Sequence, residues 1–143
     1  MLSVQQLLDQ KPKGIHTIAP DEPVLEAVRN MADRHVGALM VLESGGRVAG
    51  IVSERDYARK VVLQGRSSHD TPVRAIMTSD VITITMESTV NDAMRVMTEQ
   101  RIRHLPVMSG DRLVGIVSIG DLVKAVIEEQ QAEIDNLQAY IHG

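Results

Sequence analysis

GIVSERD at residues 50–56 returns as GIVSIGD at residues 115–121. Working outward from this pair, Arg47, Gly50, Ile51, Val52, Ser53, Asp56 and Val61 meet identical residues 65 positions later, at Arg112, Gly115, Ile116, Val117, Ser118, Asp121 and Val126. Upstream the spacing becomes 66. There Thr17, Ile18, Val24, Ala27, Arg29, Met31, Leu39 and Val41 meet Thr83, Ile84, Val90, Ala93, Arg95, Met97, Leu105 and Val107. The slip falls where residues 43–47 stand against 109–112, polar stretches in which a hairpin turn tolerates a change of length. Two copies of one unit therefore account for most of the chain, and a unit that recurs once is expected to pair with its twin around a shared core.

The repeat sets the element order. Each copy opens on a short β-branched strand, predicted at residues 15–18 and 81–84. Val24, Ala27, Val28, Met31, Ala32 and His35 then fall at helical spacing, as do Val90, Ala93, Met94, Met97 and Arg101, giving one stripe per helix. Asp21 with Pro23, and Ser88, are the expected start signals. Two strands joined by a turn follow, at 38–42 with 48–53 and at 104–108 with 113–118. A second helix closes each copy, over 55–62 and from 120 onward. The order is β-α-β-β-α, twice, which is an α+β chain. Residues 63–72, rich in Gly, Ser, His and Asp, read as the linker. The predicted organisation is a first repeat with its lead-in at 1–62, the linker at 63–72, a second repeat at 73–127 and a helical extension at 128–143.

Composition narrows the function. The 143 residues carry a net charge of −4 with no contiguous basic run, which argues against nucleic-acid binding. No apolar stretch approaches the ~20 residues needed to cross a bilayer, and no basic, apolar leader opens the chain; a soluble cytoplasmic protein is expected. Cysteine is absent, which removes disulfides, thiol catalysis and thiolate metal sites. With two Tyr and no Phe or Trp, the core must be aliphatic. The five His show no metal-ligand spacing, and no GxSxG elbow or Walker loop is present, so no catalytic function and no metal are expected.

A doubled β-α-β-β-α unit, with Gly-apolar-Val-Ser-x-x-Asp on its third strand, IMTSDVITI before Thr85 and RIRHLPV at residues 101–107, resembles a cystathionine β-synthase (CBS) domain pair. The resemblance covers residues 4–127. It implies a stand-alone, bacterial-type protein of tandem CBS repeats packed about a pseudo-twofold axis (a Bateman module), with a C-terminal helical extension. It also implies clefts between the repeats that bind adenosine nucleotides, and a regulatory role in signal transduction.

The repeated motif suits such a ligand. Asp56 and Asp121 can accept hydrogen bonds from both hydroxyls of a ribose, and Ser53 and Ser118 can donate to ribose or phosphate. The helix that follows offers unpaired N–H groups and a positive dipole end. The same Ser and Asp can equally serve as N-cap and first-turn acid. Arg55, and Arg103 with His104 at the second hairpin start, where the first copy has Gly37 and Ala38, are the candidate phosphate contacts; His104 can equally be a hydrogen-bonded structural residue. The resemblance places adenine against Ile15, His16 and Ile51 in one site and Val81, Ile82 and Ile116 in the other, and adds Met77, Thr78, Leu105 and Pro106 to the lining. The first copy departs from the pattern, with Asp9, Lys11 and Lys13 where the second has Thr78. Unequal sites are therefore expected, one taking AMP, ADP or ATP and the other binding weakly, staying empty, or accepting NAD(H) with Lys13 or Arg55 near its second phosphate.

Occupancy is expected to shift the relative orientation of the copies and so alter binding to a regulated partner. The competing expectation is a structural dimerisation module with non-functional clefts. Val123, Val126, Ile127, Ile134, Leu137 and Ile141 line one side of the last helix, which reads either as the contact helix of a homodimer or as a tail folded back on its own chain.

Overall fold

A computed structural model describes residues 2–11 and 14–142. The elements run α1 (Val4–Gln10), β1 (Thr17–Ile18), α2 (Val24–Arg34), β2 (Ala38–Leu42), β3 (Val48–Ser53), α3 (Glu54–Tyr57), β4 (Ile84–Thr85), α4 (Val90–Gln100), β5 (His104–Ser109), β6 (Arg112–Ser118) and α5 (Ile119–His142). A π-type turn at Ala58–Val62 extends α3, and a 3-10 turn spans Val73–Ala75. Each repeat forms one three-stranded sheet, ordered β1-β2-β3 or β4-β5-β6. In both, the first strand pairs parallel with the second and the second antiparallel with the third. The fold is α+β, two repeats of sheet and helices.

Both hairpins turn through a left-handed glycine, Gly46 (φ 85°) and Gly110 (φ 61°), a conformation glycine adopts without steric cost. Both carry a register shift at equivalent places, between Val41 and Leu42 and between Val107 and Met108. The first strands are shorter than predicted, Thr17–Ile18 and Ile84–Thr85.

Within each unit the buried aliphatic residues gather into a core. Val24, Ala27, Met31, Leu39, Val41, Val52, Val61, Val73 and Ile76 belong to one; Val4, Leu7, Val90, Ala93, Met97, Leu105, Val107, Val117 and Leu122 belong to the other. Each Val, Leu, Ile or Met among them contributes about 1.5–3 kcal/mol on burial. Compact units and sequence repeats do not coincide. Residues 15–81 form one unit, and residues 82–143 form the other together with residues 1–14. The apolar lead-in before each first strand thus fills the core of the other copy's helices and strands.

Helix starts show how the lead-ins are held. The α2 N-cap position is Pro23, which makes no side-chain cap. The carbonyls of Thr71 and Ser68 instead accept from Val24 N–H at 2.9 Å and Leu25 N–H at 3.0 Å. At α4 the cap is Thr89, one residue after the predicted Ser88, in a reciprocal box with Asp92. Leu2 and Ser88 tie α1 to this corner through Val90 N–H to the Leu2 carbonyl (3.0 Å) and Val4 N–H to the Ser88 carbonyl (2.8 Å). Both helices end on a left-handed residue, His35 and Arg101.

The last helix runs unbroken from Ile119 to His142. Every residue from 130 to 142 is exposed, so the tail does not fold back within its unit. Among the described residues no helix is long and apolar enough to cross a membrane.

Candidate functional site

In both units the third strand ends on a serine that caps the helix after it. Asp56 N–H donates to Ser53 Oγ at 3.1 Å, and Ser53 N–H and Oγ donate to Asp56 Oδ2 at 3.0 and 3.1 Å. Asp121 N–H donates to Ser118 Oγ at 3.1 Å, and Ser118 N–H returns to Asp121 Oδ2 at 2.9 Å. These are capping boxes, with Asp in the place where Glu or Gln is commoner. Ser and Asp at fixed separation therefore have a structural role in each copy. A carboxylate has about four acceptor positions on its two oxygens, so the box uses part of that capacity.

The hairpin start closes over the same corner. Glu54 N–H donates to the Gly37 carbonyl at 3.0 Å and Ile119 N–H to the Arg103 carbonyl at 2.9 Å. Two of the N–H groups expected to be open at each helix start are thus bonded within the unit. In the 15–81 unit the four-residue α-helical segment runs on into the π-type turn at Ala58–Val62. Gly37, Ala38, Ser53, Arg55 and Asp56 are brought together here, with Arg55 exposed. Arg103, His104, Ser118 and Asp121 come together in the other unit, with Arg103 exposed and His104 half-buried. Leu105 and Pro106 are buried strand residues of β5.

Two lysines outside the predicted set stand beside the carboxylates. Lys60 Nζ lies 3.2 Å from Asp56 Oδ1 and donates to the Ile76 carbonyl at 2.9 Å. Lys11 Nζ donates to Asp121 Oδ2 at 2.6 Å and to the Ile116 carbonyl at 2.9 Å. The Asp–x-x-x–Lys spacing was a readable signal for Lys60; Lys11 lies 110 residues from its partner, and no local pattern announces it. Burial works to raise the Asp121 carboxyl. The Lys11 hydrogen bond, the Ser118 N–H, the Lys11 charge and the Ser118 hydroxyl outweigh it and hold the group below the ordinary carboxylate value.

The lead-ins cross the third strands at glycine. Ile51 and Thr78 exchange backbone hydrogen bonds of 3.0 and 2.9 Å, with Met77 packed on the 15–81 core. A Cβ on Gly50 would lie 2.6 Å from the Thr78 carbonyl oxygen; one on Gly115 would lie 2.8 Å from Leu8 Cδ2. The motif glycine is the seat of the lead-in.

The stretch before each first strand differs between units. His16 accepts at its carbonyl from Met40 N–H at 3.2 Å, and its ring Nδ1 lies 3.1 Å from Arg34 Nη1. The residue equivalent to Met40 is Pro106, which has no N–H for the Ile82 carbonyl. Ile15 and Val81 are half-buried, and Ile82 and Thr78 are exposed. Lys13 lies outside the described residues. Among the described residues, no three His, Cys, Asp or Glu side chains come together as a metal site.

Two like units, each with a third strand seated under a lead-in and a Ser–Asp box at its end, define a family. The family model for the CBS domain matches residues 12–63 and 73–128. The chain belongs to the CBS domain family. It is 48% identical over 127 residues to the CBS domain-containing protein CBSX3 of Arabidopsis thaliana, described as mitochondrial, covering 86% of this chain and 62% of that one. It is 32% identical to the CBS domain-containing protein YhcV of Bacillus subtilis, covering 87% of each. Its fold matches that of a CBS-domain protein of Burkholderia ambifaria assigned to signal transduction, with TM-score 0.86, 48% identity, and coverage of 90% of this chain and 96% of that one. CBS pair proteins of this kind are regulatory and signal-transduction modules. The chain thus spans about three fifths of the plant relative and nearly all of the bacterial ones.

Proposed function

We propose that this CBS pair senses adenosine nucleotides of the AMP, ADP and ATP class, with NAD(H) as a longer alternative, at its two Ser–Asp boxes, and passes occupancy through conformation to a protein partner. It acts without catalysis. The observation that carries this reading is the recurrence, at the end of each third strand, of a half-buried carboxylate held in one orientation by its serine with a lysine beside it. An oriented carboxylate suits a ribose diol, and a neighbouring ammonium suits a phosphate. Arg55 and Arg103 are exposed and stand at the same two corners. The Ile82 carbonyl, opposite the proline, can receive an adenine amino group.

Calorimetry with AMP, ADP, ATP and NADH tests the proposal. Asp56→Ala and Asp121→Ala should each weaken one binding event by at least tenfold. If neither changes affinity, the ribose assignment is wrong.

A second reading, a structural dimerisation module, is favoured by the completeness of the caps and by α5. Val123, Ile127, Ile134, Leu137 and Ile141 are 42–73% exposed and fall on the a and d positions of a heptad. Glu128, Glu129 and Asp135 fall on b and c, away from the seam, whose flanks carry Gln131, Gln138, Glu133 and Tyr140. A second copy of α5 therefore fits the seam with little like-charge contact. Homodimerisation is compatible with either reading; a hexameric CBS-CP12 protein from bloom-forming cyanobacteria, 28% identical with TM-score 0.76 and covering 86% of this chain and 70% of that one, shows that similar proteins assemble. Absence of heat with all four ligands would leave dimerisation as the function.

A further inference from the structure

Asp56 and Asp121 sit in matching boxes, but their oxygens are engaged differently. At Asp56 both oxygens are taken. Oδ2 accepts from Ser53 N–H at 3.0 Å and Ser53 Oγ at 3.1 Å, and Oδ1 faces the Lys60 ammonium at 3.2 Å. At Asp121 both partners fall on one oxygen, Ser118 N–H and Lys11 Nζ meeting Oδ2 at 2.9 and 2.6 Å. Among the described residues no donor lies within hydrogen-bond distance of Asp121 Oδ1. The Asp121 side chain is also the more accessible, 26% exposed against 16% for Asp56.

The difference traces to one residue. Lys60 stands one helical turn beyond Asp56, and its ammonium is held a second time by the Ile76 carbonyl at 2.9 Å. The equivalent position in the second copy is Ala125, buried and without charge. Lys11 reaches Asp121 from the lead-in and is likewise held twice, but by Oδ2 and the Ile116 carbonyl, so it leaves Oδ1 clear.

The base end differs in the same direction. In the 15–81 unit the His16 carbonyl already accepts from Met40 N–H at 3.2 Å. In the other unit the equivalent Ile82 carbonyl stands opposite Pro106, which has no N–H. A nucleoside at the Asp121 box therefore meets an open carboxylate oxygen and an open carbonyl. One at the Asp56 box must first displace an ammonium, exchanging a charge-assisted bond for a weaker neutral one.

We propose that nucleosides fill this chain in order, the Asp121 box first, and that Lys60 is the residue that holds the Asp56 box back. The proposal rests on the reading of the two aspartates as ribose acceptors.

Site-resolved NMR titration of the full chain with adenosine tests this, because adenosine carries the ribose diol without a phosphate to draw Lys60 away. The Ser118 and Asp121 amides report one box and the Ser53 and Asp56 amides the other. In the wild type the first pair saturates at a concentration about tenfold lower, the weight of one charge-assisted hydrogen bond. Lys60→Met closes that gap by tightening adenosine at the Asp56 box, and leaves the Asp121 box unchanged. Lys60→Arg, which keeps a cation beside Oδ1, keeps the wild-type order. Equal or reversed filling in the wild type, with binding at the Asp121 box lost in Asp121→Ala, overturns the proposal and leaves the ribose reading standing. So does a Lys60→Met variant that binds adenosine no more tightly at Asp56. Unaltered binding in Asp121→Ala, or no shift at either box, overturns the ribose reading and the proposal with it.

Discussion

Thr78 and Ile51 exchange both of their backbone hydrogen bonds, which adds a one-residue fourth strand to the free edge of β3. The neighbouring Gly50 makes room for it, and Gly115 does the same for Leu8. The two glycines face different obstacles. At Gly50 the nearest atom is a backbone oxygen held in a hydrogen bond, whereas at Gly115 it is the end of a leucine side chain that can change rotamer. Gly50→Ala should therefore destabilise by about 2–3 kcal/mol and Gly115→Ala by about 1 kcal/mol. Denaturant midpoints of the two variants check the order; equal losses would mean the Thr78 segment yields as easily as Leu8.

The caps separate structure from binding. Thr89 and Asp92 form the same reciprocal box as Ser118 and Asp121, at 3.0 and 3.1 Å, but away from the candidate site. Thr89→Ala and Ser118→Ala should each lose about 1 kcal/mol of stability. Only Ser118→Ala should weaken nucleotide binding, as read by calorimetry. Equal binding in both variants would reduce Ser118 to a cap alone.

Asp121 sets an acid dependence. Its folded carboxyl lies below the ordinary value, so its contribution to stability is full above the unfolded value of about 3.9. As pH falls from there, the unfolded chain takes up its proton first, and the contribution fades until the folded carboxyl is protonated as well. The stability difference between wild type and Asp121→Asn should be flat above about pH 5 and shrink below about pH 4. A difference that stayed constant on acidification would show that the Lys11 and Ser118 contacts do not favour the ionised form.

The α5 seam predicts a mass. Removing residues 128–143, or placing aspartate at both Ile134 and Leu137, should convert a dimer to a monomer in sedimentation while leaving both units folded by circular dichroism. Retention of the dimer would move the contact elsewhere.

Much of this was legible in the sequence because it is local. The hairpin strands Ala38–Leu42 and Val48–Ser53 begin and end where alternation and the polar turn place them. The Ser–Asp pairs were readable as caps or as ligands, and the structure shows the caps. What was not legible is long-range. Val4 and Val73 are equally apolar whichever core they fill, so comparing the copies cannot say that each lead-in serves the other. The α2 start falls directly after Pro23, where the sequence places it, but the groups that receive its first N–H groups, the carbonyls of Thr71 and Ser68, are backbone and carry no residue signature. Lys11 escaped for the same reason, its partner lying at the far end of the chain.

The exchange of lead-ins has a consequence for synthesis. Residues 15–81 hold everything their core requires in one continuous stretch, and it is complete when residue 81 has left the ribosome. Val4 and Leu7, which emerge before that stretch, belong to a core whose members Val117 and Leu122 emerge well after it. The apolar segment at residues 4–8 must therefore wait for residues 117–122, while the 15–81 unit folds ahead of it.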